Sequence, residues 1–300
     1  MSKVTTLQNA IKTHVQDGDL VYLAGFTHLI PFAAGHEIIR QGKKDLTLAR
    51  ATPDLIYDQM VAAGCAKKVI FSYMGNPGVG SLRIVRKALE SGQLDWEEYS
   101  HFGMISRLQA GATGLPCMIM NQTAANSLEQ ANPNIRRVTD PYTGAELITV
   151  PALTPDVAIV HVQRCDAAGN AHIWGIIGEQ KEVAFASKKV IITTEEIVDD
   201  EVIRSDPNRT LIPGFIVDAV CLVPHAAHPS YAQGYYDRDN ALYLEWDKIS
   251  ESDELTQAYL AEWVYGVKDR EEYWAKLGAK IHAQLAIEEK LSAKVNYGKY

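Results

Sequence analysis

Residues 69–92 read VIFSYMGNPGVGSLRIVRKALESG. VIFSY is β-branched and aromatic, the composition of a short buried strand. Gly75, Asn76, Pro77, Gly78 and Gly80 then fall close together, in a loop open to dihedrals that most residues refuse. Ser81 stands where an N-cap belongs, and Leu82, Val85, Ala88 and Leu89 make one apolar stripe on a following helix. Strand, glycine loop and helix start together predict a socket whose amides and helix N-terminus face outward, suited to an anion or a developing oxyanion. A plain tight βα turn would use the same residues.

The same theme runs through the first 90 residues. LVYLAGF (20–26) is a strand closed by Gly25, Phe26, Thr27 and His28, and a helix follows from Pro31 to Ile39. DLTLARA (45–51) is a strand closed by Thr52, Pro53 and Asp54, with the helix LIYDQMVAAG after it. Strands alternating with helices predict an α/β fold: an open, mostly parallel sheet with helices on both faces. Ligands of such sheets sit at the carboxyl ends of the strands, which places GFTH, ATPD and MGNPGVG around one site.

Further along, EEYSHFGMISRLQAGATG leads through Ser100 and His101 into a helix stopped at Gly114. DPYTGAELITVPALTPDVAIVHVQRCDAAGNAHIWG (140–175) reads as a hairpin-like pair of strands with VAIVHVQ a strongly buried strand, and KEVAFASKKVIITTEEIV as a helix and another apolar strand, VIITTEEI. Glu195, Glu196, Asp199, Asp200 and Glu201 are an acidic run after a strand, which reads as a solvated helix start favoured by the dipole in preference to paired catalytic carboxylates. FIVDAVCLVPHAAHP is one more strand, and residues 253–290 carry aromatics at helical spacing, a pair of packing helices. No repeat or low-complexity linker divides residues 1–300, so one domain is expected.

Composition excludes several classes of function. With 47% hydrophobic and 22% charged residues the chain has ample material for a core. Its net charge of -8 and lack of basic runs argue against nucleic acid, and no apolar run is long enough to span a membrane. The first residues form an amphipathic helix rather than a signal peptide. Cys65, Cys117, Cys165 and Cys221 are scattered, as reduced thiols of a cytoplasmic protein would be. His225 and His228 lie three apart but lack the companions of a metal site. GxGxxG, Walker and GxSxG patterns are missing. Residue spacing alone therefore predicts a ligand-binding α/β scaffold without an evident nucleophile, metal or redox cofactor.

Longer stretches go further. MSKVTTLQNAIKTHVQDGDLVYLAGFTHLIPFAAGHEIIRQGKKDLTLARATPDLIYDQMVAAGC, FSYMGNPGVGS, AGATGLP, PDVAIVHVQRCDAAGNAHIWG, TTEEIVDDEVIR, AHPSYAQGYYDRDN and GVKDREEYWAKLGA resemble the α subunits of family I CoA-transferases, nearest the 3-oxoadipate and glutaconate branches. The resemblance implies half of a heterodimer or heterotetramer, with coenzyme A as a substrate and no cofactor. The catalytic glutamate of the family lies in the β subunit, in a Ser-Glu-Asn-Gly type motif that this chain lacks. That glutamate would carry CoA as a thioester between an acyl-CoA and a carboxylic acid. By the same resemblance this chain has no catalytic residue of its own and lines the substrate with Gly25, Phe26, Thr27, His28, Asn76, Gly78, Val79, Gly80, Ser100 and His101. Thr27, Ser100 and the amides near Gly78 would meet a carboxylate, and His28 or His101 a distal carboxylate or keto group. Either histidine would serve equally as a capping or core group. Residues 117–134 depart from the wording of relatives, which bears on the substrate. The alternatives are a CoA-thioester hydrolase or C–C cleaving enzyme on the same fold, and a small-acid-binding sensor. The segment Ser100–Met104 contains no acid of the kind found in the hydrolases.

Overall fold

The computed structural model describes residues 2–75, 80, 82–121 and 126–287. The expected Ser81 cap and most of the glycine loop (Asn76, Pro77, Gly78, Val79) lie outside these. Twelve strands and eleven α-helices are described. They run α1 (Leu7–His14), β1 (Leu20–Leu23), α2 (Phe32–Arg40), β2 (Leu46–Ala49), α3 (Leu55–Ala62), β3 (Ala66–Phe71), α4 (Arg83–Glu90), β4 (Asp95–Glu98) and α5 (His101–Thr113). Next come β5 (Cys117–Met120), α6 (Asn126–Ala131), β6 (Arg136–Thr139), β7 (Glu146–Pro151), β8 (Val157–Cys165), β9 (Ala171–His172), α7 (Gln180–Ala186), β10 (Lys189–Ile197) and α8 (Asp200–Arg204). The rest are β11 (Thr210–Ile212), β12 (Ala219–Leu222), α9 (Asn240–Ile249), α10 (Asp253–Leu260) and α11 (Arg270–Leu285).

Seven of the strands form one parallel run, in the order β4, β3, β2, β1, β8, β10, β12. Short β9 and β11 extend it antiparallel beside the end of β8. From β1 the chain steps outward one way to β4, then returns to the other side of β1 with β8. The crevice between β1 and β8 is thus the switch point where such sheets take ligands. β5, β7 and β6 make a separate antiparallel sheet.

Side chains alternate between two cores with the period of a strand. Val21, Leu23, Ile159, Ile191 and Cys221 face a core shared with α1 to α4, α9 and α10. Tyr22, Ala24, Val160, Ile192 and Val220 face a core with α5, α7 and the small sheet. Both faces are covered, which is why the strands read as near-continuous apolar runs.

Three expectations need correction. Glu195 and Glu196 belong to β10 and not to a helix start; Glu195 is 7% exposed and bonded to His161. Asp199, Asp200 and Glu201 do open α8, as expected. The C-terminal helices begin earlier than residue 253, because α9 starts at Asn240, capped by Asp239. Finally, the first turn of α4 does not offer its amides to a ligand. The buried Asp58 of α3 takes the amide of Val85 at 3.0 Å and the indole N–H of Trp246 at 3.1 Å, with the Arg83 and Ile84 amides also directed at it. Burial raises its carboxyl to about 7 despite those donors.

Helix α5 presents His101, and its seat is tight. Arg107 donates from Nε to the Pro151 carbonyl at 3.0 Å, and Leu153 N–H donates to the Arg107 carbonyl at 2.9 Å. A Cβ at Gly111 would run into the Leu153 carbonyl oxygen. Gly111→Ala is therefore expected to cost about 1–3 kcal/mol, read as a shift in denaturation midpoint.

Candidate active site

The carboxyl ends of β1 and β2 part company. Their ladder ends at Tyr22 opposite Ala49; beyond it Ala24 N–H bonds to Ile159 of β8 and Arg50 N–H to Ile70 of β3. Two buried tyrosines fill the opening. Tyr57 OH donates to the Ala49 carbonyl at 2.8 Å and accepts from Leu23 N–H at 3.3 Å. Tyr22 OH accepts from Ala51 N–H at 3.1 Å and donates to Glu179 Oε1 at 2.9 Å. Burial raises both phenols and also raises the Glu179 carboxyl, which is 2% exposed. Arg50, 1% exposed, donates from Nη2 to the Gly25 carbonyl, while its Nε and Nη1 have no partner among the described residues.

Above this floor lies the loop after β1. Gly25, Thr27 and Leu29 all adopt positive φ, at 118°, 57° and 55°. Glycine is required at 25, where a Cβ would meet the His28 and Leu29 carbonyl oxygens at 2.7 and 2.8 Å. The other two positions hold strain of the kind common at ligand sites. Their hold includes Ser230, which donates to the Thr27 carbonyl at 2.8 Å, and Tyr231, whose carbonyl accepts Leu29 N–H at 2.9 Å.

His101 begins α5 next to this loop. Its Nδ1 is 2.7 Å from Ser72 Oγ and its Nε2 is 2.9 Å from Thr52 Oγ1. Ser72 gives its own proton to the Ala51 carbonyl at 2.5 Å, so it accepts from Nδ1–H, and Thr52 donates to Nε2. Both ring nitrogens are thereby held by hydroxyls, which fixes the orientation of the ring. Phe26, 37% exposed, packs edge-on against that ring at 6.3 Å. Around the trio Tyr73, Phe102, Ile176 and Ile177 are exposed apolar side chains.

The ten expected site residues separate into groups. Phe26 and His101 are brought together, over Gly25. Ser100 caps α5, accepting Gly103 N–H at 3.0 Å. His28 is buried at the β1–β8 switch point, donating from Nδ1 to the Ile176 carbonyl and accepting Gln233 N–H at Nε2, both at 3.0 Å. It is a plug that ties the loop after β1 to residues 176 and 233. Thr27 stands between the two histidines in sequence, half-buried. Gly80, with φ 128°, packs on Asp247 of α9 and is not seen with this group. Asn76, Gly78 and Val79 fall outside the described residues. Sequence reading placed Thr52 at the site, within ATPD, but missed Arg50, Ser72, Tyr22 and Glu179. Ser72 follows β3 directly, a positional signal; Glu179 carries none.

Burial lowers His28 to about 4. Its proton affinity in the fold is below that of the unfolded chain, so its contribution is present above pH 6.5 and lost as pH falls toward 4. The expected loss of stability over that window is about 3 kcal/mol. Denaturation at a series of pH values should show a shallower acid limb in His28→Gln than in the parent.

Comparison with known proteins places this arrangement. The family model described as Coenzyme A transferase matches residues 4–222. The chain is 49% identical over 280 residues to the α subunit of 3-oxoadipate CoA-transferase from Pseudomonas knackmussii, covering 92% of this chain and 99% of that protein. It is 38% identical over 297 residues to the α subunit of glutaconate CoA-transferase from Acidaminococcus fermentans, covering 93% of each. The crystal structure of glutaconate coenzyme A-transferase from that organism superposes with a TM-score of 0.91, at 36% identity, over 98% of this chain and 99% of that one. The open parallel sheet and these likenesses agree: the chain belongs to the coenzyme A transferase family, on the α-subunit side.

Proposed function

We propose that this chain walls the acid-binding side of a cytoplasmic two-subunit CoA-transferase, with a 3-oxo dicarboxylic acid of the 3-oxoadipate type as acceptor. The observation that carries the reading is the 49% identity to the α subunit of a 3-oxoadipate CoA-transferase across nearly the whole of both chains. The site supports a binding role for this chain. Glu179, close enough for its charge to be felt by His101, is buried and bonded to Tyr22, a poor position for attack on a thioester. The nucleophilic glutamate comes from a β subunit, which carries CoA as a thioester while the acids exchange. The two subunits pair as a heterodimer or heterotetramer, and the exposed apolar side chains around His101 suit a surface that such a partner covers.

Within the trio, Thr52 is the group best able to respond to a bound acid. Its hydroxyl rotates about the C–O bond and can pass its hydrogen bond from His101 to a carboxylate or keto oxygen. Phe26 and His101 then bound the acid's body, and the Gly25–Leu29 loop fixes their distance from the partner's glutamate.

The test is CoA exchange between succinyl-CoA and a panel of acids, followed by mass spectrometry, with this chain alone and co-expressed with its β subunit. Exchange only in the paired sample, with a borohydride-sensitive thioester on the partner's glutamate, supports the reading. Free CoA without acyl transfer would replace it with thioester hydrolysis. Binding of the acid by this chain alone, without turnover in either sample, would favour a sensor. In the paired enzyme Thr52→Val should lower kcat/KM for the acid about tenfold, mostly through KM.

A further inference from the structure

The loop after β1 keeps two side chains in a backbone region they disfavour. Thr27, at φ 57°, is β-branched, and Leu29 stands close after it at φ 55°. Such residues relax toward the β or right-handed region unless their surroundings hold them. Arg50 takes the carbonyl of Gly25 at the loop's start. Much of the remaining grip comes from far along the chain, between β12 and α9. Ser230, 0% exposed, donates from Oγ to the Thr27 carbonyl at 2.8 Å. The Tyr231 carbonyl accepts the Leu29 amide at 2.9 Å, and the Tyr231 ring lies 4.7 Å from that of His28. Gln233 gives its amide to His28 Nε2 at 3.0 Å. Among the described residues, the Ser230 hydroxyl is the one side-chain donor that this segment sends to residues 25–29, and it falls on the β-branched residue of the strained pair.

Segment 224–239 does not depend on that bond for its own position. The His225 amide donates to Glu195 at 2.8 Å, the Ala226 carbonyl accepts Ala33 N–H at 3.0 Å, and Arg270 Nε donates to the His225 carbonyl at 2.8 Å. Asp239 N–H closes the segment on the Pro229 carbonyl at 3.0 Å. The segment is a fixed post, so the loop is what yields when the Ser230 bond is lost. A released Thr27 turns the chain that carries Phe26, whose ring stands edge-on to His101 at 6.3 Å.

We propose that Ser230 is a positioning residue for acid binding: through the Thr27 carbonyl it keeps Phe26 against His101. Being fully buried, it meets neither the acid nor the reacting atoms. The proposal rests on the reading of this loop as the wall of the acid site. A displaced wall weakens the hold on the acid in the ground state and the transition state alike, so the loss is read in KM rather than kcat.

Two measurements on the assembled two-subunit enzyme test it: CoA exchange from succinyl-CoA to 3-oxoadipate, and hydrogen–deuterium exchange of the peptide spanning residues 24–30. Ser230→Ala is expected to raise KM for the acid about fivefold with kcat unchanged, and to quicken deuterium uptake in that peptide. Ser230→Cys fills the same space with a poor donor and should behave like the alanine variant. Tyr235→Phe loosens the same segment at its bond to Glu196 and should leave both readouts at parent values. An unchanged KM in Ser230→Ala would overturn the proposal. So would parent-like behaviour of Ser230→Cys, which would assign the role to packing, or an equal rise of KM in Tyr235→Phe, which would assign it to general loosening. If the parent enzyme transfers no CoA, the reading of the site fails by itself. Deuterium uptake then decides the grip on the loop: quickened in Ser230→Ala it stands, unchanged it falls.

Discussion

The strand-end site exists because β1 and β2 separate one residue pair after Tyr22 and Ala49. A parallel ladder that stops inside a protein leaves amides and carbonyls without partners, at about 1–3 kcal/mol each. Here the hydroxyls of Tyr22 and Tyr57 occupy the opening, each accepting one amide, and the Arg50 guanidinium takes the Gly25 carbonyl. Those groups are too large for the strands to close again. The opening is thereby kept at fixed width, and the loop carrying Phe26 and Thr27 leaves the sheet at an angle that brings it over His101. Loop strain, histidine orientation and floor charge all follow from that parting.

Electrostatics reinforce the division of labour between floor and wall. The floor contains a carboxyl and a guanidinium that burial keeps from water, so their mutual influence is far stronger than at a surface. The wall contains a hydroxyl pair, an imidazole bonded through both nitrogens to those hydroxyls, and a phenyl ring. An anionic acid approaching such a wall meets donors that can be re-aimed at little cost, above a buried cation.

Much of this was legible in the sequence because strand and helix periods alternate so regularly up to Glu90. The parallel sheet, the ends of β1 to β3 and the Gly114 end of α5 all follow from local patterns of β-branching and glycine. Long-range partners left no local trace. Asp58 looks like any helical aspartate, yet it occupies the first-turn amides of α4 from 27 residues away. Glu195 sits in an acidic run that resembles solvent-facing sequence, but His161, which stands opposite Thr193 on the neighbouring β8, bonds it in the interior. His28 carries no sign of whether it faces substrate or core; only the carbonyl of Ile176 and the amide of Gln233 decide it for the core.

The two margins of the main sheet are guarded by different means. At one, β4 presents Asp95 and Glu98, charges that oppose pairing with another strand. At the other, Lys3 and Thr5 exchange backbone hydrogen bonds with Val220, so the residues before α1 act as a narrow selvedge sewn along β12. Loss of that border would lay bare a row of amides and carbonyls beside the exposed Leu222, turning a finished edge into a template for self-association. The chain's resistance to clumping therefore depends on a few residues that contribute almost nothing to its core.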